Sequence, residues 1–186
     1  MASAKREHLL HTAERLFYDQ GFHATGIDTI VRAAGVVRMT LYNQFGSKDA
    51  LVQAVLADRH ARFFDRIDAA VRQAEPGAAT LALVDAHNAW LADHGERGCI
   101  LVRAMGEFAA HNPAIHAQAA ENKRALRGRI ADALGRDGLP DHLADQVFLV
   151  LEGANSAVPA LGADTVRGTV RRAIATLLEQ AGETVT

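Results

Sequence analysis

Cysteine, proline and aromatic residues are scarce in this sequence, and each shortage excludes a class of structure. Cys99 is the single cysteine, so the chain can form neither an internal disulfide nor a zinc site made of cysteines. Four prolines and 5% aromatic residues are few for a β-sandwich or barrel, while abundant alanine and leucine favour helices. The formal net charge of −2 gives no overall positive field that would indicate a nucleic-acid partner.

Long hydrophobic runs are missing as well. No uncharged stretch approaches the length that spans a bilayer, and the first ten residues lack the apolar segment of a secretory signal peptide. We therefore expect a cytoplasmic protein with no membrane partner. Charge is nevertheless uneven along the chain. Residues 1–72 contain ten Lys and Arg against eight Asp and Glu, whereas residues 73–186 contain ten against fourteen.

Hydrophobic residues recur at helical period along almost the whole chain, and no run shows the alternation of a strand. Glycines and prolines separate the helical segments, which predicts an all-α fold. The expected helices cover about residues 4–20, 26–34, 38–45, 48–73, 79–94, 99–111, 113–134, 141–158 and 163–181.

Turn and cap signals surround the first helices. Gly21 follows the first helix as a C′ glycine, and Phe22 is the apolar residue expected to pack back on the last turn. Thr25 and Asp28 have the T-x-x-D spacing of a capping box at the start of the second helix. Ser47 is expected to cap the fourth helix.

Two short helices joined by a turn at Gly35 have the arrangement of a helix-turn-helix, whose second helix lies in the major groove of DNA. Leu41 and Phe45 are expected to face inward. The same helix carries polar residues that could reach phosphates and base edges, namely Arg38, Thr40, Tyr42, Asn43 and Gln44. The segment therefore predicts double-stranded DNA as a partner.

These residues resemble the TetR-like family of transcriptional regulators. The likeness covers about residues 9–56 and is carried by Ala13, Phe17, Gly21-Phe22, Thr25, Ile30, Ala33-Ala34-Gly35-Val36, Thr40-Leu41-Tyr42, Phe45 and Ser47-Lys48-Asp49-Ala50-Leu51. The resemblance implies a three-helix helix-turn-helix domain, residues 1–56, joined by a long helix to a helical effector-binding and dimerisation domain, residues 57–186. It also implies a homodimeric repressor that a small-molecule effector releases from a palindromic operator.

The family pattern also assigns roles within the helix-turn-helix. It implies phosphate contacts by Thr25, Thr40, Tyr42 and Lys48, and places Arg38, Met39 and Asn43 nearest the base edges. Val37 stands where the family commonly has a capping Ser or Thr, and cannot cap. The Arg38-Met39 pair is bulkier than the usual Lys-Gly, so we expect an altered operator sequence. The alternative is that Tyr42 belongs to the core and Lys48 is a solvated charge.

Candidate effector-pocket residues combine apolar bodies with a few polar tips. They are His87, Trp90, Met105, Phe108, Phe148, Glu152 and Asn155, and each alone could be ordinary core. Glu152 interrupts an apolar run, so it lies at an interface, pairs with a base or faces a ligand. We expect Cys99 to be a small buried residue at a helix start, with a redox switch as the alternative.

The last two helices have wide apolar faces that could form a four-helix bundle with a second copy. The resemblance points to the same helices for dimerisation. The residues concerned are Val147, Leu151, Ala154, Val158, Val166, Val170, Ile174 and Leu177. The alternative is that these faces pack within one subunit.

Chemistry other than binding has little support in the sequence. The pairs Glu107/His111 and His8/His11 lack the density of a metal site. No nucleophile elbow, phosphate loop or dinucleotide glycine pattern occurs. We expect no enzymatic activity, cofactor or metal. The competing hypothesis is a helical small-molecule binder or enzyme that retains a vestigial DNA-binding domain.

Overall fold

A computed structural model describes residues 2–183 of the chain. Within them the fold is all-α, with nine helices and no strand. The helices are α1 (Ala2–Gln20), α2 (Ile27–Ala33), α3 (Arg38–Phe45), α4 (Lys48–Gln73), α5 (Ala79–His94), α6 (Ile100–Phe108), α7 (Pro113–Arg136), α8 (Leu143–Leu161) and α9 (Ala163–Glu183). None of the described helices is long and apolar enough to cross a membrane.

The chain divides into two compact units that do not follow a single cut in the sequence. The first unit contains the described residues up to Ala61 together with Ile100–Glu121, and the second contains Arg62–Cys99 and the residues from Asn122 on. The N-terminal unit therefore includes α6 and the beginning of α7, which the expected boundary of 1–56 and 57–186 assigns to the other domain. Packing explains the difference, because side chains of α6 and α7 complete the core of the first unit.

The first unit is built around the aromatic residues that the sequence places near Gly21. Gly21 ends α1 with φ 93° and donates its N–H to the carbonyl of Phe17 at 3.0 Å, as a C′ glycine should. Phe22 is fully buried and lies 5.2 Å from the ring of Phe17. Phe108 of α6 packs on the other side of Phe22, with ring centroids 5.5 Å apart.

The second unit buries the inward faces of α5, α8 and α9 against one another. The start of α5 is capped from outside the helix. Asp137, just after α7, accepts the N–H groups of Ala79 at 2.8 Å and Thr80 at 2.7 Å. A carboxylate at a helix N-terminus satisfies free N–H groups and favours the helix dipole.

Three local expectations are wrong, each for a structural reason. Thr25 does not cap α2, because its hydroxyl donates instead to the carbonyl of Gly21 at 2.7 Å. The sixth helix ends at Phe108 rather than near residue 111. The eighth helix continues through Pro159 to Leu161 and ends at Gly162, whose φ is 78°. The Ser47 cap is confirmed, since its hydroxyl accepts the N–H of Ala50 at 3.0 Å.

Candidate nucleic-acid interface

The α3 helix presents one face to the core and the other to solvent. Gly35, with φ 63°, turns the chain from α2 towards α3, and Leu41 anchors α3 because its side chain is fully buried. The outward face is unusually apolar at its start, where Val37 is 69% and Met39 65% exposed. Val37 is the N-cap residue of α3 and makes no capping side-chain bond. A free helix start with exposed side chains suits contact with a groove.

Six of the seven predicted DNA-contact residues lie at the surface of the first unit. Arg38, Met39, Tyr42 and Asn43 are exposed, and Thr40 and Lys48 are half-buried. Tyr42 is 41% exposed, so it is not a core residue. Thr25 differs, because its side chain is fully buried and its hydroxyl holds the end of α1.

Arg38 is held in place by an acidic residue of α2. Its Nε donates to Asp28 Oδ1 at 3.1 Å, and its Nη2 donates to both oxygens of the carboxylate, at 2.5 and 2.6 Å. The hydrogen bond from Arg38 lowers the pKa of Asp28, and the same bond raises the pKa of Arg38. The T-x-x-D spacing had suggested a cap for Asp28, and its role as a partner of Arg38 has no signal in the local sequence.

Lys48 is the first residue of α4, where a cation is unfavourable next to the positive end of the helix dipole. Burial lowers the pKa of Lys48, while the carboxylates of Asp49 and Glu107 act in the opposite direction. A half-buried ammonium beside free N–H groups creates a place for an anion. This arrangement fits a phosphate of the DNA backbone.

A basic residue of α1 also reaches this region. The guanidinium of Arg6 lies 4.8 Å from the centroid of the Phe45 ring at the end of α3. The sequence analysis missed Arg6, because its position relative to α3 depends on how the helices pack.

Comparison with known proteins identifies the family of the chain. A family profile described as "Bacterial regulatory proteins, tetR family" matches residues 9–55. The HTH-type transcriptional activator FasR of Mycolicibacterium smegmatis is 32% identical over 153 residues, which are 79% of this chain and 67% of FasR. The chain belongs to the TetR family.

Other TetR-family proteins match over most of the chain. The HTH-type transcriptional repressor NemR of Escherichia coli is 26% identical over 162 residues, 81% of each protein. The crystal structure of a TetR-family regulator from Streptomyces coelicolor superposes with a TM-score of 0.88 at 25% identity and covers 96% of both chains. The protein is therefore a TetR-family DNA-binding transcription regulator with an N-terminal helix-turn-helix.

The candidate effector-pocket residues of this TetR-family chain fall in different units. Met105 and Phe108 pack in the core of the first unit. The other five, His87, Trp90, Phe148, Glu152 and Asn155, belong to the second. Three of these, His87, Glu152 and Asn155, lie near Lys123 of α7, a residue that the sequence analysis did not single out.

Glu152 pairs with a base, one of the alternatives that the sequence left open. Lys123 Nζ donates to Glu152 Oε1 at 2.8 Å, and Asn155 Nδ2 donates to the same oxygen at 3.3 Å. The expectation that Cys99 is a buried packing residue is wrong, because it is half-exposed and its sulfur lies 3.3 Å from Lys123 Nζ.

The residues assigned to a dimer interface lie instead in the core of the second unit. Seven of the eight are buried within the single chain, and Leu177 packs partly buried against the same core. Their apolar character is explained without a partner, because α5, α8 and α9 bury one another. Any contact of α8 with a second copy has to use its outward face, which exposes Leu149.

Proposed function

We propose that this protein is a homodimeric repressor that binds a palindromic operator and is released by a small-molecule effector. The observation that carries the proposal is the start of α3, where Val37, Arg38 and Met39 project from a helix anchored by Leu41. A helix that is fixed on one side and exposed at its first turn has the geometry used to read the major groove.

Base reading is assigned to Arg38, Met39 and Asn43. Arginine makes bidentate contacts with guanine, asparagine with adenine, and apolar side chains contact the methyl group of thymine. Asp28 occupies Nε and Nη2 of Arg38, so Nη1 points away from that pair and is available to a base. Asp28 thus fixes the direction in which Arg38 reads.

Phosphate binding is assigned to Lys48, Tyr42 and Thr40. Lys48 combines a cationic side chain with the N-terminus of α4. Thr25 is left out of this set, since its buried hydroxyl already has an acceptor. Phosphate contacts supply affinity and salt dependence, whereas base contacts supply selectivity.

Dimerisation is assigned to the outward faces of α8 and α9. One recognition helix reads too few base pairs to select a promoter, so two copies related by a two-fold axis are needed. Leu149 and Leu161 of α8 are two of the few large apolar side chains that the described residues expose, at 67% and 59%. Small residues on the same helix, Gly153 and Ser156, are also exposed and would let a partner helix approach.

The second unit is assigned to the effector. Several polar atoms on α5 are buried and have no hydrogen-bond partner among the described residues, namely Thr80 Oγ1, His87 Nδ1 and Asn88 Oδ1. Buried polar groups without partners are costly, so these atoms favour a polar ligand close to α5. The action of a regulator on chromosomal DNA would place the protein in the cytoplasm.

The test is retardation of the protein's own upstream DNA, measured from low to high salt with a scrambled fragment as control. We expect specific binding to a palindrome, with an affinity that falls steeply with salt. A promoter fusion then distinguishes repression from activation. Equal affinity for the palindrome and the scrambled fragment would favour a small-molecule binder with a vestigial helix-turn-helix.

A further inference from the structure

The single cysteine of this chain belongs to a compact polar cluster in the second unit. Cys99 Sγ lies 3.3 Å from Lys123 Nζ, and Lys123 also donates to Glu152 Oε1 at 2.8 Å. The side chains of Lys123 and Glu152 are largely buried, while Cys99 retains partial access to solvent. A nucleophilic atom is therefore accessible next to a shielded ammonium group.

Lys123 keeps its proton in this position. Burial alone would lower its pKa, but the adjacent Cys99 and Glu152 outweigh burial and raise the pKa of Lys123. A permanent positive charge 3.3 Å from the sulfur stabilises negative charge on that sulfur, and the thiolate is the nucleophilic form of cysteine. Glu152 acts against this effect, because its carboxylate competes for the same ammonium group.

His87 is an independent sign that the cluster is more than a structural ion pair. The side chain is 2% exposed, and its Nδ1 has no hydrogen-bond partner among the described residues. Burial, followed by the charge of Lys123, lowers the pKa of His87 to about 3. His87 therefore offers Lys123 a neutral ring with an unused nitrogen, a polar group that a ligand entering beside Cys99 could bind.

We propose that Cys99 is a covalent sensing site for soft carbon electrophiles, in particular electron-poor alkenes conjugated to a carbonyl group. In its regulatory consequence this inference rests on the proposed function above. The thiol first loses its proton to solvent, and the sulfur attacks the β-carbon of the alkene, forming the C–S bond. The π electrons move to the carbonyl oxygen as an enolate, and protonation of the α-carbon completes a thioether without any oxidant.

The surroundings of Cys99 leave little room for an adduct without rearrangement. Gly98 has φ 84°, and a Cβ at this position would lie 3.3 Å from the backbone oxygen of Asn155. The segment before Cys99 is therefore close against α8. A thioether would have to displace the ammonium group of Lys123 from the sulfur, which disturbs its pairing with Glu152.

The reactivity test uses acrylamide and the full chain, with alkylation followed by intact mass at neutral pH. Because Cys99 is the only thiol, one added mass reports this site alone, and Cys99→Ser should add none. We expect Lys123→Met to slow alkylation about tenfold and Glu152→Gln to accelerate it severalfold. Lys5→Met, which removes an exposed lysine of α1, should leave the rate unchanged.

Opposite signs for the two variants separate activation from simple loosening of the structure. If the pair only restricts access to Cys99, both Lys123→Met and Glu152→Gln should accelerate alkylation. The double variant leaves no stranded carboxylate and should remain slow, which protects the test against misfolding of Lys123→Met. Acceleration in the double variant, or a wild-type rate equal to that of Lys123→Met, would overturn the activation of Cys99.

The regulatory consequence is tested by DNA retardation before and after complete alkylation. We expect the adduct to weaken operator binding at least tenfold, and Cys99→Ser to be insensitive to acrylamide. Alkylated protein with undiminished operator affinity would overturn the sensing role. If the unmodified protein does not bind its operator, the proposed repressor function fails, but the mass measurements still decide whether Cys99 is activated.

Discussion

Glu107 and His23 are joined by two hydrogen bonds of 2.8 Å. The backbone N–H of His23 donates to Glu107 Oε2, and the ring Nε2 of His23 donates to the carbonyl oxygen of Glu107. Phe22 adds a third bond, from its N–H to Glu107 Oε1 at 3.2 Å. Glu107 of α6 thus holds the turn between α1 and α2, and a change in the position of α6 would be felt directly at the helix-turn-helix.

Glu107→Ala should weaken operator binding and destabilise the first unit, because two backbone N–H groups lose their acceptor. The cost of an unsatisfied donor is about 1–3 kcal/mol. Retardation assays and urea unfolding would measure the two effects. Glu107→Gln keeps one carbonyl acceptor and should restore part of both. Normal operator affinity in Glu107→Ala would show that the α1–α2 turn does not depend on this contact.

Lys48→Ala should weaken binding to every DNA sequence to a similar extent. Loss of one phosphate contact should reduce the slope of log affinity against log salt by about 1. Tyr42→Phe should also weaken binding without changing sequence preference. The measurement is affinity for operator and scrambled fragments at several salt concentrations. An unchanged salt slope in Lys48→Ala would contradict its phosphate contact.

Asp28→Ala and Arg38→Ala should both reduce discrimination between operator and scrambled DNA, by about tenfold for Arg38→Ala. Their effects on non-specific affinity should be opposite, since one removes a negative charge and the other a positive charge. Arg32→Ala, an exposed arginine of α2, is the matched control and should lower affinity without lowering discrimination. Full discrimination in Asp28→Ala would mean that Arg38 does not need its carboxylate partner.

Stability should fall in mild acid because of His87. Its pKa is about 3 in the folded chain and 6.5 as the ordinary value, so the unfolded state binds the proton first as pH drops. The stabilisation is complete above about pH 6.5 and is lost as the pH falls towards 3, with about 2 kcal/mol lost between pH 7 and 5. Urea unfolding at both pH values would measure it.

His87→Gln cannot take up this proton, so its stability should depend less on pH by about the same amount. The exposed His8 of α1 provides the control, and His8→Gln should retain the full acid dependence. Identical pH dependence in wild type and His87→Gln would remove His87 as the cause.

Leu149→Glu and Val170→Glu should fail in different ways. Leu149 is exposed, so Leu149→Glu should leave a folded chain that sediments as a monomer and has lost operator affinity. Val170 is 6% exposed in the single chain, and a buried unpaired carboxylate should cost several kcal/mol of folding stability, about 3–5. Val102→Glu, an exposed position on α6, is the control. A dimeric Leu149→Glu would move the interface away from this face.

The sequence by itself determined the family, the all-α fold and the local structure of the helix-turn-helix. These features depend on short-range patterns, such as the helical period, the C′ glycine Gly21, the Ser47 cap and the spacing around Leu41. α3 begins and ends where its pattern predicts, at Arg38 and Phe45. Short-range patterns are readable because neighbouring residues alone satisfy or break the backbone hydrogen bonds.

Tertiary structure decided which apolar faces and charges meet. An amphipathic pattern shows that a face is buried but not by what, so the faces of α8 and α9 could be assigned to a second copy until packing placed them in the core. The same holds for pairs far apart in sequence, such as Glu107 with His23 and Lys123 with Cys99. Their partners are brought together by helix packing, which no local pattern encodes.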